Sequence, residues 1–170
     1  MGNNQYNKIK LRTNLLMTIK VLEDVIKDGG QFYLGHWVES GGCERDSMIH
    51  CGTTACIGGW LCASKEWKES GGKVYSGNVR GWKVYGGSLP FIPGFNAGEE
   101  SLMAWYGVVG EDSNWRALLS GLFGLSTGPS FKYLYNNKNF SSITIQDSIN
   151  AIKKLINKLD ENDNENNRTK

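Results

Sequence analysis

Four cysteines and two histidines fall between His36 and Cys62, namely His36, Cys43, His50, Cys51, Cys56 and Cys62. Thiolates and imidazoles are what zinc prefers, and a closed structural site takes four of them. The spacing argues against a metal: seven, four and five residues separate successive cysteines, and Cys56 and Cys62 are not stacked at i and i+4. A nucleophilic reading uses Cys56 alone, since a thiol at a helix start has a lowered pKa and His36 or His50 would be the base. Both histidines precede Cys56, however, and no third residue declares itself to orient a base. Packing is therefore the preferred reading of the thiols. No metal ligand, catalytic residue or cofactor is assigned.

Anion chemistry draws on different atoms. In Cys51-Gly-Thr-Thr-Ala-Cys-Ile-Gly-Gly-Trp60, Gly52 and Thr53 suit a turn and an N-cap, and the run behind them reads as a helix over about 54 to 67. That start would leave the N–H groups of Thr53, Thr54 and Ala55 free to meet an anion. The glycine-rich stretch further on carries Arg80, Trp82, Lys83 and Tyr85, a cation and ring faces on which a base could stack. Trp37, Tyr75, Trp60 and Arg45 are secondary candidates. The expected ligand site is thus Thr53, Thr54, Ala55, Arg80, Trp82 and Tyr85, and the expected ligand is small and anionic or nucleotide-like. Against this stands the ordinary reading of each residue, in which aromatics are core, Thr53 a plain cap and Arg80 solvated. No Lys-Ser or Lys-Thr follows a glycine run at P-loop spacing.

The elements that must position these residues follow from periodicity. Residues 8 to 28 place Ile9, Leu11, Leu15, Leu16, Ile19, Leu22, Val25 and Ile26 at helical spacing before Gly29-Gly30. Phe32, Tyr33, Leu34 and Trp37 suggest a short extended segment over the core. Gly58 and Gly59 inside the next helix each cost about 1 kcal/mol relative to alanine, so a close backbone or a ligand is expected there. Between 71 and 94 a small hairpin or glycine-rich loop, near 73 to 87, fits the alternation of Val, Tyr and Trp with glycine. Helices are expected over 99 to 106, over 114 to 123 with a stop at Gly124, over 130 to 135, and from about Thr144 to Leu159. Thr144 caps the last of these and Asp147 sits in its first turn. Residues 160 to 170 are too polar to bury and are expected to be disordered. The fold class is α+β, a single mainly helical domain over residues 8 to 159.

Composition narrows the function. Hydrophobic residues at 39%, charged residues at 21% and a formal charge of +2 are globular values, with no surplus for nucleic acid or a membrane surface. No apolar run has the length of a membrane span and the N-terminus lacks a signal-peptide core, so a cytoplasmic protein is expected. Gly2 does not make a myristoylation signal, because Tyr6 stands where Ser or Thr belongs. A homo-oligomer is compatible with everything above.

Phe32 and Trp37, then Cys51, Gly52, Thr53, Ala55, Cys56, Gly59 and Trp60, and later Phe123-Gly-Leu-Ser126 with Leu134-Tyr135, form a recurring pattern. In these positions the chain resembles a family of small, mostly uncharacterised bacterial and phage proteins built around Cys-Gly-Thr-x-Ala-Cys-x-x-Gly-Trp. The resemblance implies no chemistry of its own, but it implies a phage origin and hence the host-cell cytoplasm. The function expected is a non-catalytic, phage-encoded binding protein, in concrete form a counter-defence protein sequestering a nucleotide-derived signalling molecule. The alternatives are a hydrolase or transferase using Cys56, and an inhibitor that binds a host defence protein directly.

Overall fold

In the computed structural model of the chain, the described residues are 6–35, 54–75, 78–79, 82–83, 89–95, 98–110 and 114–168. Helix α1 (Lys8–Lys27) begins at Asn7, whose Oδ1 accepts the Lys10 N–H at 2.9 Å. It ends at Asp28, followed by Gly29 at φ 77°, where a side chain would be strained. Leu11, Leu15, Thr18, Leu22 and Val25 form its buried face, as the helical spacing predicts. Ile9, Leu16 and Ile26, counted with them in the sequence, are instead exposed. The apolar stripe of α1 is narrower than its apolar content.

The chain then pairs β1 (Gln31–Phe32) in parallel with β2 (Thr54–Ala55), Gln31 opposite Thr54 and Phe32 opposite Ala55. Two short helices follow, α2 (Ile57–Ala63) and α3 (Lys65–Glu69). The single helix expected over 54 to 67 is therefore shorter at its start and broken at Ser64. Ser64 is extended at ψ 161°, and its Oγ accepts the Trp67 N–H at 3.3 Å, so the chain starts a second helix at a new cap.

Where a hairpin or glycine loop is expected, strand β3 (Lys73–Tyr75) pairs antiparallel with β6 (Leu89–Phe91), and between them β4 (Asn78–Val79) pairs antiparallel with β5 (Trp82–Lys83). The remaining helices are α4 (Glu99–Trp105), α5 (Asn114–Leu122), α6 (Pro129–Leu134) and α7 (Ile145–Arg168), with a 3₁₀ turn at Phe140–Ser142. The fold is α+β and mainly helical. The helix α7 runs on past Leu159, where its apolar face ends, and occupies most of the stretch expected to be disordered. No glycine or proline interrupts residues 160 to 168, so the backbone has no local stop signal.

The core lies where α1 packs along α7 and α2, and α5 packs against α6 and α7. Trp60, Trp67, Tyr106 and Tyr135 are its largest fully buried side chains. Each of their polar atoms has a partner: Trp60 Nε1 donates to the Gln31 carbonyl at 2.9 Å, Trp67 Nε1 to the Lys73 carbonyl at 3.3 Å, and Tyr135 to the Leu122 carbonyl at 2.5 Å. Tyr106 meets Thr18 Oγ1, whose proton goes to the Asn14 carbonyl at 2.7 Å. Satisfied in this way, large amphipathic rings can enter the core without the penalty of an orphaned donor.

Candidate functional site

The start of α2 is built differently from the anion-binding start expected of it. Its N-cap is Cys56, not Thr53, and Thr54 and Ala55 belong to a strand rather than to a first helical turn. The carbonyl of Ala55 accepts the Tyr33 N–H at 3.2 Å, and the Thr54 hydroxyl donates to Gln31 Oε1 at 3.1 Å. Both residues are thus committed to β1. Ala55 is wholly buried, and all seven residues of α2 are buried. The first turn of α2, Gly58 and Gly59 included, is buried, and the Cys56 side chain makes no capping hydrogen bond.

Among the other expected ligand residues, Trp82 lies in β5, opposite Val79. Thr53, Arg80 and Tyr85 lie outside the described residues, as do Trp37, Arg45, His36, Cys43, His50 and Cys51. The structure therefore brings together Thr54 and Ala55 and places Trp82 on a separate hairpin. Trp60, a secondary stacking candidate, is fully buried with its N–H used, so it is core.

Cys56 is 2% exposed. Burial pushes its thiol up from 9.0 to about 11, and the opposing pull of the Gly59 and Gly58 N–H groups does not restore it. Cys62, also buried, is raised by burial and by the neighbouring Cys56. At neutral pH both are protonated thiols, poor as nucleophiles and as metal ligands. Among the described residues no three His, Cys, Asp or Glu side chains converge as a metal site.

Two hollows remain. A cavity of 320 Å³ is lined by Tyr33, Leu34, Phe123, Gly124, Phe140 and Cys56, among others. The Tyr33 and Phe140 rings meet edge to face at 6.3 Å. Gly124, at φ 69°, lies so near that a Cβ there would come within 2.6 Å of the Phe140 ring. Distant parts of the sequence pattern, Cys56 and the Phe123-Gly-Leu stretch, thus share one wall.

A larger groove of 640 Å³ runs between α1, α3, α4 and the turn after β6. Its apolar surface comes from Met17, Ile92, Phe95 and Trp105, with Ile9 and Phe95 exposed at 81% and 45%. Trp105 is fixed by its Nε1–H bond to Ser70 Oγ at 3.0 Å and by its ring contacts with Trp67 and Tyr106. Lys10 Nζ donates to the Ala104 carbonyl at 3.1 Å, and Asn14 Nδ2 to the Trp105 carbonyl at 2.5 Å, so α1 caps the end of α4. Glu66 and Glu69 line the groove from α3. None of these residues was selected from sequence. One signal was present: Asn14 is a polar residue on the buried stripe of Leu11, Leu15, Thr18 and Leu22, where only a specific partner keeps an amide.

The chain matches no protein-family model, no curated protein and no solved structure. Among the described residues no helix is long and apolar enough to cross a membrane.

Proposed function

We propose that this protein works by capture rather than by turnover: a non-catalytic binding protein that holds a host molecule. The observation that carries this is the environment of Cys56. It is the one residue on which a nucleophilic mechanism would rest, and it is packed in the core with its thiol pushed up to about 11. A protein that needed a thiolate would surround it with cations and solvent, whereas here the thiol is packed in the core and makes no capping hydrogen bond. The phage-like sequence pattern supports the concrete form, a counter-defence protein in the host cytoplasm that sequesters a nucleotide-derived signal. Arg80, Trp82 and Tyr85 supply the composition such a ligand would need.

Isothermal titration with a panel of mono-, di- and cyclic nucleotides tests the reading. One member should bind in the micromolar range or tighter and be recovered chemically intact, with Cys56→Ala binding as the natural protein does. Conversion of the nucleotide, or a folded Cys56→Ser protein without function, would replace capture with catalysis.

A further inference from the structure

The groove beside α1 contains a feature that packing alone does not explain. Asn14 is 8% exposed, and its Nδ2 bond to the Trp105 carbonyl fixes which way the amide points. Its Oδ1 has no partner among the described residues, yet no fully buried side-chain oxygen there is unsatisfied. The oxygen must therefore meet solvent, and the solvent beside Asn14 is the groove. An acceptor held by a nine-tenths-buried side chain is pre-oriented for a donor, because its rotamer freedom is already lost.

The rest of the lining has the same polarity. Glu66 and Glu69 bring two carboxylates from α3, the second of them paired with the exposed Lys65 at 3.4 Å. Against them stands Lys10, whose ammonium already rests on the Ala104 carbonyl at 3.1 Å. The carbonyl end of α4 also faces this side, through Ala104 and Trp105. Between these acceptors lie the apolar surfaces of Met17, Phe95 and Trp105. The volume suits a small molecule, since ligand pockets commonly span about 300–1,000 Å³.

We infer that this groove binds a small organic cation with a flat apolar body, an aryl amidine or arylalkylamine, its N–H directed at Asn14 Oδ1 and its charge toward Glu66 and Glu69. None of the groove's lining residues is one on which nucleotide capture would rest, so either reading can fail without the other. An anion is disfavoured here by the two carboxylates, and a neutral aromatic gains only the apolar contact.

Benzamidine, benzamide and benzoate form the decisive series, followed by ¹H–¹⁵N NMR of the full chain. Benzamidine should shift the Asn14 side-chain amide and the Trp105 indole signals saturably, benzamide more weakly, and benzoate not at all. The double variant Glu66→Gln, Glu69→Gln removes both carboxylates, together with the Lys65–Glu69 pair, and should weaken benzamidine roughly fivefold, as two partly exposed charges would. Equal binding of benzoate, an unchanged affinity in the double variant, or shifts confined to residues outside the groove would overturn the assignment.

Discussion

Cys56 carries the clearest consequences at the scale of the single residue. Trimming it to alanine removes a buried side chain and should cost about 1–3 kcal/mol in denaturant unfolding, with binding per folded molecule intact. Its raised thiol also sets a pH dependence. A group whose proton is held more tightly in the folded chain stabilises the fold below its unfolded pKa and loses that contribution as pH rises through the folded value. Stability should therefore decline between pH 9.0 and about 11, and more shallowly in Cys56→Ala. Equilibrium unfolding across that range checks it, and alkylation of native protein at pH 8 should be far slower than of unfolded chain. Asp147 titrates in the opposite sense. Partial burial works to raise its carboxyl, but hydrogen bonds from Lys138 and Thr144 prevail and hold it below the usual range. Its contribution is present above the ordinary carboxylate pKa and is lost as pH falls through the lowered one.

Between elements, close approach decides which substitutions are tolerated. Gly121 of α5 lies against α6, and a Cβ there would sit 2.7 Å from the Phe131 backbone nitrogen. Alanine gains about 1 kcal/mol of helix propensity, yet backbone cannot move aside as a side chain can, so overpacking wins. Gly121→Ala should destabilise by about 1–3 kcal/mol. Gly30→Ala, which meets Val25 Cγ1 at 2.6 Å and the Trp60 ring at 3.0 Å, should cost less because Val25 can turn. Thermal unfolding of both variants tests the order. The start of α7 is a reciprocal cap, Thr144 N–H to Asp147 Oδ2 at 3.0 Å and Asp147 N–H to Thr144 Oγ1 at 3.1 Å. Thr144→Ala should cost about 1 kcal/mol.

That cap was legible in the sequence, and so were α1, α5 and the face of α7, because each depends on residues within one or two turns. The start of α2 was not. Gly52-Thr53 carries a local cap signal, but Thr54 and Ala55 are drawn into a ladder with Gln31 and Phe32, a non-local pairing that no local pattern announces. The groove was equally hidden. Its residues come from α1, α3, α4 and the turn after β6, and only Asn14 stands out against its own periodicity.

Across the whole molecule, the core absorbs the reactive-looking groups of the described residues and leaves a groove beside α1. Trp60, Trp67, Tyr106, Cys56 and Cys62 are all buried, so these rings and thiols read as structure. What distinguishes capture from turnover is the fate of the bound molecule. Native mass spectrometry of the protein and of Cys56→Ala, both purified from bacterial cells, observes that fate directly. A non-covalent small molecule should be retained by both proteins and released with unchanged mass on denaturation. A covalent adduct on Cys56, or a bound species present in the natural protein and lost in a folded Cys56→Ala, would contradict it.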